Sequence, residues 1–220
     1  MKNIKKPLSG LYAITDPCLM GDDLIIKAEQ AISGGINILQ YRNKTASNTQ
    51  QRDEAQVLAK LCKNNGVLFI INDNIELATE VNADGVHIGQ QDSDIQSARN
   101  KLGDEKIIGV TCNNKIENAI VAQQQGANYV AFGRFFKSST KPSAPAAQTS
   151  LLKDIKQSIS IPIVAIGGIT HSNIIQLLHY DIDMFAVIES VFGQNDIAES
   201  ARQFIEILKH RDDREPWSDL

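Results

Sequence analysis

Eight short apolar runs, each followed by an amphipathic stretch, recur along this chain with no linker or change of composition between them. The runs occupy residues 11–15, 36–41, 68–71, 85–88, 107–110, 129–132, 163–166 and 184–188. They are continuously apolar rather than alternating, as strands covered on both faces of a parallel sheet are. Between them, residues 24–33, 49–65, 75–81, 95–102, 115–125, 151–158, 172–178 and 197–209 carry helical spacing. Several of these stretches close on glycine, at Gly34-Gly35, Gly66, Gly103 and Gly126, the expected helix stop. Strand and helix alternating eight times within 220 residues predicts an α/β fold, a single-domain (β/α)8 TIM barrel over residues 1–210. A doubly wound open sheet is the rival, but it would normally place a glycine-rich fingerprint after the first strand. Leu11-Tyr12-Ala13-Ile14-Thr15-Asp16-Pro17 contains none. Residues 211–220 read as a charged, frayed tail containing Trp217.

The formal net charge of −4 argues against nucleic acid as the main partner, which usually leaves a basic footprint. Cys18, Cys62 and Cys112 are odd in number and lack C-x-x-C spacing, so they suggest neither a disulfide framework nor a zinc site. Met1-Lys2-Asn3-Ile4-Lys5-Lys6-Pro7 lacks the apolar stretch of a signal peptide, and no apolar run approaches membrane-spanning length. A cytoplasmic protein with no membrane partner is the expectation. Oligomeric state stays open, a homo-oligomer included.

In a barrel of this kind the active site forms on the loops that follow the strands. Asp73 and Asp92 fall just past the third and fourth apolar runs, where two carboxylates on neighbouring strands can share a hard cation such as Mg²⁺. Helix capping is the alternative for Asp73, while Asp94 is a better cap than Asp92. After the second run, Gln40-Tyr41-Arg42-Asn43-Lys44 would send Gln40, Arg42 and Lys44 to one side by strand alternation. Arginine suits bidentate phosphate contacts and lysine acts as a mobile point charge. The long connection over residues 133–148 carries Ser138, Ser139, Thr140 and Lys141, which suit a phosphate-gripping loop. Gly167-Gly168 follows the seventh run and Ile188-Glu189 ends the eighth, the two places where barrels often cradle phosphate on backbone N–H groups. Acidic metal candidates and basic residues on one rim point to a phosphorylated small-molecule substrate. His87 reads as a hydrogen-bonded core or rim histidine, and no hydrolytic triad or H-E-x-x-H motif occurs.

Taken in order, residues 11–16, Gln40-Tyr41-Arg42-Asn43-Lys44, Ile70-Ile71-Asn72-Asp73, Gly85-Val86-His87-Ile88-Gly89-Gln90-Gln91-Asp92, Ser139-Thr140-Lys141-Pro142 and Ala165-Ile166-Gly167-Gly168-Ile169 resemble thiamine phosphate synthase. The resemblance implies a transferase that joins hydroxymethylpyrimidine diphosphate to a thiazole phosphate, giving thiamine phosphate and pyrophosphate. By that similarity Asp73 and Asp92 hold Mg²⁺. Gln40, Tyr41, Arg42, Asn43, Lys44, Asn72, Thr111 and Lys141 bind the pyrimidine diphosphate. Arg42, Lys44 and Lys141 stabilise the leaving pyrophosphate. Ser138, Ser139, Thr140, Gly168, Ile188 and Glu189 hold the thiazole phosphate.

Three positions depart from the family pattern: Lys137 replaces a frequent proline, Thr111 a frequent serine, and Glu189 a common serine beside the thiazole phosphate. A carboxylate at Glu189 repels phosphate unless the side chain turns away and only its N–H contributes. The enzymatic rival is a thiazole tautomerase-like isomerase, which would favour a histidine after the fifth strand; Val110-Thr111-Cys112-Asn113-Asn114 has none. The other rival is a non-catalytic thiamine-phosphate-binding protein, expected to lose Asp73, Asp92 or Lys141, all of which are present.

Overall fold

The computed structural model describes residues 6–90, 94–138 and 145–211. Eight parallel strands close into a barrel in chain order: β1 (Gly10–Ile14), β2 (Ile38–Tyr41), β3 (Leu68–Asn72), β4 (Gly85–Ile88), β5 (Ile107–Asn113), β6 (Tyr129–Phe132), β7 (Ile163–Ile166) and β8 (Met184–Val187). β8 returns to pair with β1, Gly10 beside Met184. Around them run α1 (Pro17–Met20), α2 (Leu24–Ser33), α3 (Asn48–Asn65), α4 (Ile75–Glu80), α5 (Ile95–Leu102), α6 (Ile116–Gln124), α7 (Leu151–Ser158), α8 (Glu189–Phe192) and α9 (Ile197–Lys209). No helix among the described residues is long and apolar enough to cross a membrane.

Strand parity explains the continuous apolar runs. Residues facing outward, such as Leu11, Leu39, Phe69, Ile71, Val86, Ile108, Val130, Ala165 and Phe185, pack beneath the helices in one large core. Their neighbours facing inward, including Tyr12, Ile38, Ile70, Ile107, Tyr129, Val164 and Met184, fill the barrel in a second core. A strand that serves two cores has no wet face to alternate with. Two glycines adjust the interior: a Cβ on Gly85 would lie 2.1 Å from the Ile107 carbonyl oxygen, and one on Gly109 would lie 1.9 Å from the Tyr129 ring. The barrel centre is therefore filled at Gly109 by its neighbour's aromatic ring.

Most helix boundaries follow local chemistry. Ser47 caps α3 by accepting from the Gln50 N–H, and Gly66 ends it in a left-handed conformation. Asp94 caps α5 through the Ser97 N–H, as expected. The segment predicted as a helix over 172–178 contains only a single 3-10 turn, Ile174–Gln176. Thr170, Ser172 and Asn173 bond one another and the local backbone, which competes with helix propagation. The fifth strand runs past its expected end at residue 110 to Asn113, with a shift in register between Thr111 and Asn113. Such a bulge re-aims side chains at a barrel rim.

Candidate active site

At the C-terminal mouth of the barrel lies a cavity of about 820 Å³. It collects residues from all eight strands or the loops after them, among them Gln40, Arg42, Lys44, Asn72, Asp73, Thr111, Ser138, Gly168, Ile188 and Glu189. Alternation along β2 and past its end places Gln40, Arg42 and Lys44 together on this wall. Thr15, itself buried, holds the Arg42 backbone: its hydroxyl donates to the Arg42 carbonyl at 3.1 Å and accepts from the Arg42 N–H at 2.8 Å. The Arg42 Nε is buried with no hydrogen-bond partner among the described residues.

Asp73 is not the cap of the helix that follows it. Asn74 caps α4 by accepting from the Leu77 N–H, and Asp73 instead takes a left-handed backbone, φ 61°, at the cavity wall. The Asp73 N–H donates to the His87 carbonyl at 2.8 Å, tying the turn to β4. One Asp73 carboxylate oxygen meets Lys44 Nζ at 2.7 Å and accepts from Asn72 Nδ2 at 2.6 Å. This carboxylate is only 23% exposed, against 54% for the lysine side chain. Lys44 and Asn72 thus share one Asp73 oxygen, and among the described residues no cluster of three or more His, Cys, Asp or Glu side chains could hold a metal ion.

Two of the expected ligand residues point elsewhere. Tyr41 is the outward-facing neighbour of Gln40, and its hydroxyl donates to Glu54 on α3 at 2.6 Å. Asn43 also donates to Glu54, at 3.1 Å, and its Oδ1 accepts from the Thr45 and Ala46 N–H groups. Strand parity and an α3 carboxylate thus turn the Tyr41 and Asn43 side chains away from the wall that Gln40, Arg42 and Lys44 line. Asp92, Ser139, Thr140 and Lys141 lie outside the described residues.

The β7 loop is shaped by its two glycines. Gly167 and Gly168 have φ of 104° and 64°, and a Cβ on either would approach within 2.2 Å of Arg134 Cβ and of the Lys137 carbonyl oxygen respectively. Only glycine allows this loop to lie directly against the segment after β6. The Phe136 N–H donates to the Gly167 carbonyl at 2.9 Å, joining the two loops. Glu189 is exposed at the start of α8 and lines the cavity.

Residues not singled out as site candidates sit beneath this mouth. Tyr12 and Tyr129 are buried, with their hydroxyls 2.8 Å apart. Gln40 Nε2 donates to the Tyr12 hydroxyl at 2.6 Å. His87 bonds Tyr129 through Nδ1 at 3.0 Å and Thr111 through Nε2 at 2.8 Å. His87 is thus a hydrogen-bonded barrel histidine, as its place in a strand suggested. A phenol at an inward-facing position of an apolar strand was the available signal for Tyr12 and Tyr129, since a buried hydroxyl requires a partner. His171 also lines the cavity from beyond β7, and no spacing marked it.

Burial holds the Tyr12 and Tyr129 phenols well above tyrosine's ordinary value, and burial followed by the Glu54 contact does the same for Tyr41. A folded state that keeps these protons longer than the unfolded chain is fully favoured below the unfolded value of about 10 and loses that advantage as pH rises beyond it. Urea midpoints should therefore decline once pH passes about 10. Midpoints that stay level while tyrosinate absorbance grows in the native protein would contradict this burial effect.

Fold and mouth together define a class: a single (β/α)8 barrel whose active-site end gathers cationic and acidic side chains around one cavity. The profile of the thiamine monophosphate synthase family matches residues 11–191. A protein from Alcanivorax borkumensis named thiamine-phosphate synthase is 50% identical over 200 residues, spanning 89% of this chain and 92% of that one. Another with the same name, from Methylococcus capsulatus, is 41% identical over 213 residues, spanning 97% and 95%. The solved thiamine phosphate pyrophosphorylase from Pyrococcus furiosus superposes with a TM-score of 0.85 at 30% identity, covering 93% of this chain and 97% of its own. The chain belongs to the thiamine monophosphate synthase family, enzymes of thiamine biosynthesis that act as transferases on small molecules.

Proposed function

We propose that this barrel condenses 4-amino-2-methyl-5-hydroxymethylpyrimidine diphosphate with a thiazole phosphate, releasing pyrophosphate and forming thiamine phosphate. The observation that carries this reading is the grouping of Arg42, Lys44, Asn72 and Asp73 on one wall of the cavity, with the Gly167-Gly168 turn among its other lining residues. The first group suits a diphosphate, and the turn suits a second phosphate. Their placement in one cavity favours a reaction between two phosphorylated molecules.

Asp73, joined by Asp92, would hold Mg²⁺, which when bound offsets charge on the departing pyrophosphate. The remaining chemistry falls to the protein's own residues. Arg42 and Lys44, with Lys141, meet the negative charge that grows as the C–O bond to pyrophosphate breaks. The aminopyrimidine ring stabilises the resulting exocyclic cation, so no strong acid is needed at the carbon. Ser138, Ser139, Thr140, Gly168 and the Ile188-Glu189 backbone hold the thiazole phosphate, which sets the ring nitrogen beside that carbon. Carbon–nitrogen bond formation then completes the transfer, with no general base required because the thiazole nitrogen carries no proton.

The test is pyrophosphate release by purified protein supplied with both substrates, with Mg²⁺ present and then removed by chelator. Release should need both substrates, fall by at least about 100-fold on chelation, and match thiamine phosphate formation mole for mole. Full release in excess chelator would remove the metal from the mechanism. Tight thiamine phosphate binding without any release would identify a binding protein instead.

A further inference from the structure

A continuous chain of side-chain hydrogen bonds crosses the barrel under the cavity, from Gln40 on β2 through Tyr12, Tyr129 and His87 to Thr111 on β5. Its links are 2.6, 2.8, 3.0 and 2.8 Å long. Both end residues line the cavity, while the two phenols between them are 1% and 0% exposed. The chain therefore joins two ligand-facing groups through the barrel interior.

Each hydroxyl has one proton, and each neutral imidazole has one N–H. Those counts make the direction of the whole chain a single choice. Gln40 donates to the Tyr12 oxygen, and among the described residues the Tyr12 proton has one other partner, the Tyr129 oxygen. With His87 neutral, Tyr129 then donates to Nδ1, which leaves the imidazole proton on Nε2 to be donated to Thr111 Oγ1. Running any middle link backwards would leave a buried hydroxyl proton without an acceptor, which is costly in a dry interior.

We propose that Tyr12, Tyr129 and His87 are positioning residues that set the hydrogen-bonding sense of both ends of the site. With one amide N–H committed to Tyr12, the Gln40 amide is fixed in the orientation that leaves its Oε1 as the acceptor for a ligand. With its oxygen receiving the His87 N–H, Thr111 offers its own hydroxyl proton, a donor. The pair matches a ligand carrying an N–H donor at one end and an anionic oxygen at the other. Resting on the functional reading above for the ligand's identity, the chain selects an aminopyrimidine diphosphate over the corresponding oxo-pyrimidine. An oxo group would place a second acceptor against Gln40 Oε1. Rotating the Gln40 amide to accommodate it would require every link to reverse, including the His87 tautomer.

Tyr129→Phe removes the central link with little change of shape, and Tyr12→Phe interrupts the chain next to Gln40. In ¹⁵N-labelled protein without substrates, long-range ¹H–¹⁵N correlation should show His87 protonated on Nε2, and a mixture of tautomers in Tyr129→Phe. The ratio of kcat/KM for amino- over oxo-pyrimidine diphosphate should fall about tenfold in either variant, the worth of one ordinary hydrogen bond. A general loosening of the barrel would lower both substrates alike and leave that ratio unchanged. A proton on Nδ1 in the wild type overturns the proposal, as does an unchanged ratio in a variant whose melting temperature is preserved. If the wild type releases no pyrophosphate at all, the functional reading fails, and the tautomer measurement still decides the chain's direction.

Discussion

Arg42→Met should lower the rate of pyrophosphate release by about 10²–10³-fold, the usual effect of removing one preorganised group that meets charge in the transition state. The same change should not cost stability. Arg42 Nε is buried without a hydrogen-bond partner among the described residues, so the native state carries its desolvation without compensation. Replacing that group by an apolar chain of similar length removes a penalty of about 1–3 kcal/mol while keeping the aliphatic packing. The expected result is an inactive protein whose urea midpoint is equal to or above that of the wild type. Functional sites commonly hold such strained arrangements against stability. A variant with lost stability and near-normal turnover would reverse both halves of the argument, making Arg42 a structural residue.

Gly109→Ala should be strongly destabilising, although it adds only one methyl to the barrel interior. Its Cβ would fall 1.9 Å from the Tyr129 ring and 2.3 Å from the Tyr129 hydroxyl oxygen. Tyr129 is fully buried and bonded on both sides, to Tyr12 and His87, so the ring has no open direction in which to move. Overpacking of this kind costs about 1–3 kcal/mol and occasionally more, and here it also breaks the hydrogen-bond chain. A loss of about 3–5 kcal/mol is expected from chemical denaturation. In the Gly109→Ala/Tyr129→Leu double variant the clash is relieved, so the two changes together should cost less than their sum. Strict additivity would mean that the ring and the glycine are not coupled.

The legible and illegible parts of this protein divide along a physical line. The barrel could be read from the chain because two cores make every strand apolar on both faces, and because Gly66, Ser47 and Asp94 act on their immediate neighbours. The convergence of Gln40, Arg42 and Lys44 followed from alternation alone, one side chain in two facing the cavity. The side-chain directions of Tyr41 and Asn43 were less legible. Parity sends the Tyr41 side chain outward, but no local rule announces Glu54, more than ten residues away, as the partner of both. The helix predicted over 172–178 failed because its hydroxyl and amide side chains compete for the backbone, which apolar spacing does not register.

By itself the sequence determined the order of the eight strands and of most helices between them, the alternation of faces along each strand, and the end of the barrel at which Gln40, Arg42 and Lys44 gather. These depend on periodicity and on contacts between near neighbours, which a linear chain encodes directly. Only the tertiary structure decided that Asp73 turns into the cavity while Asn74 takes the cap, and that Gly109 yields its space to Tyr129. It alone joined Tyr12 to Tyr129, 117 positions apart, and both to Gln40 and His87. Such pairings are set by barrel closure, which brings strands distant in sequence to within hydrogen-bond reach, and a buried hydroxyl must accept whichever partner that closure supplies.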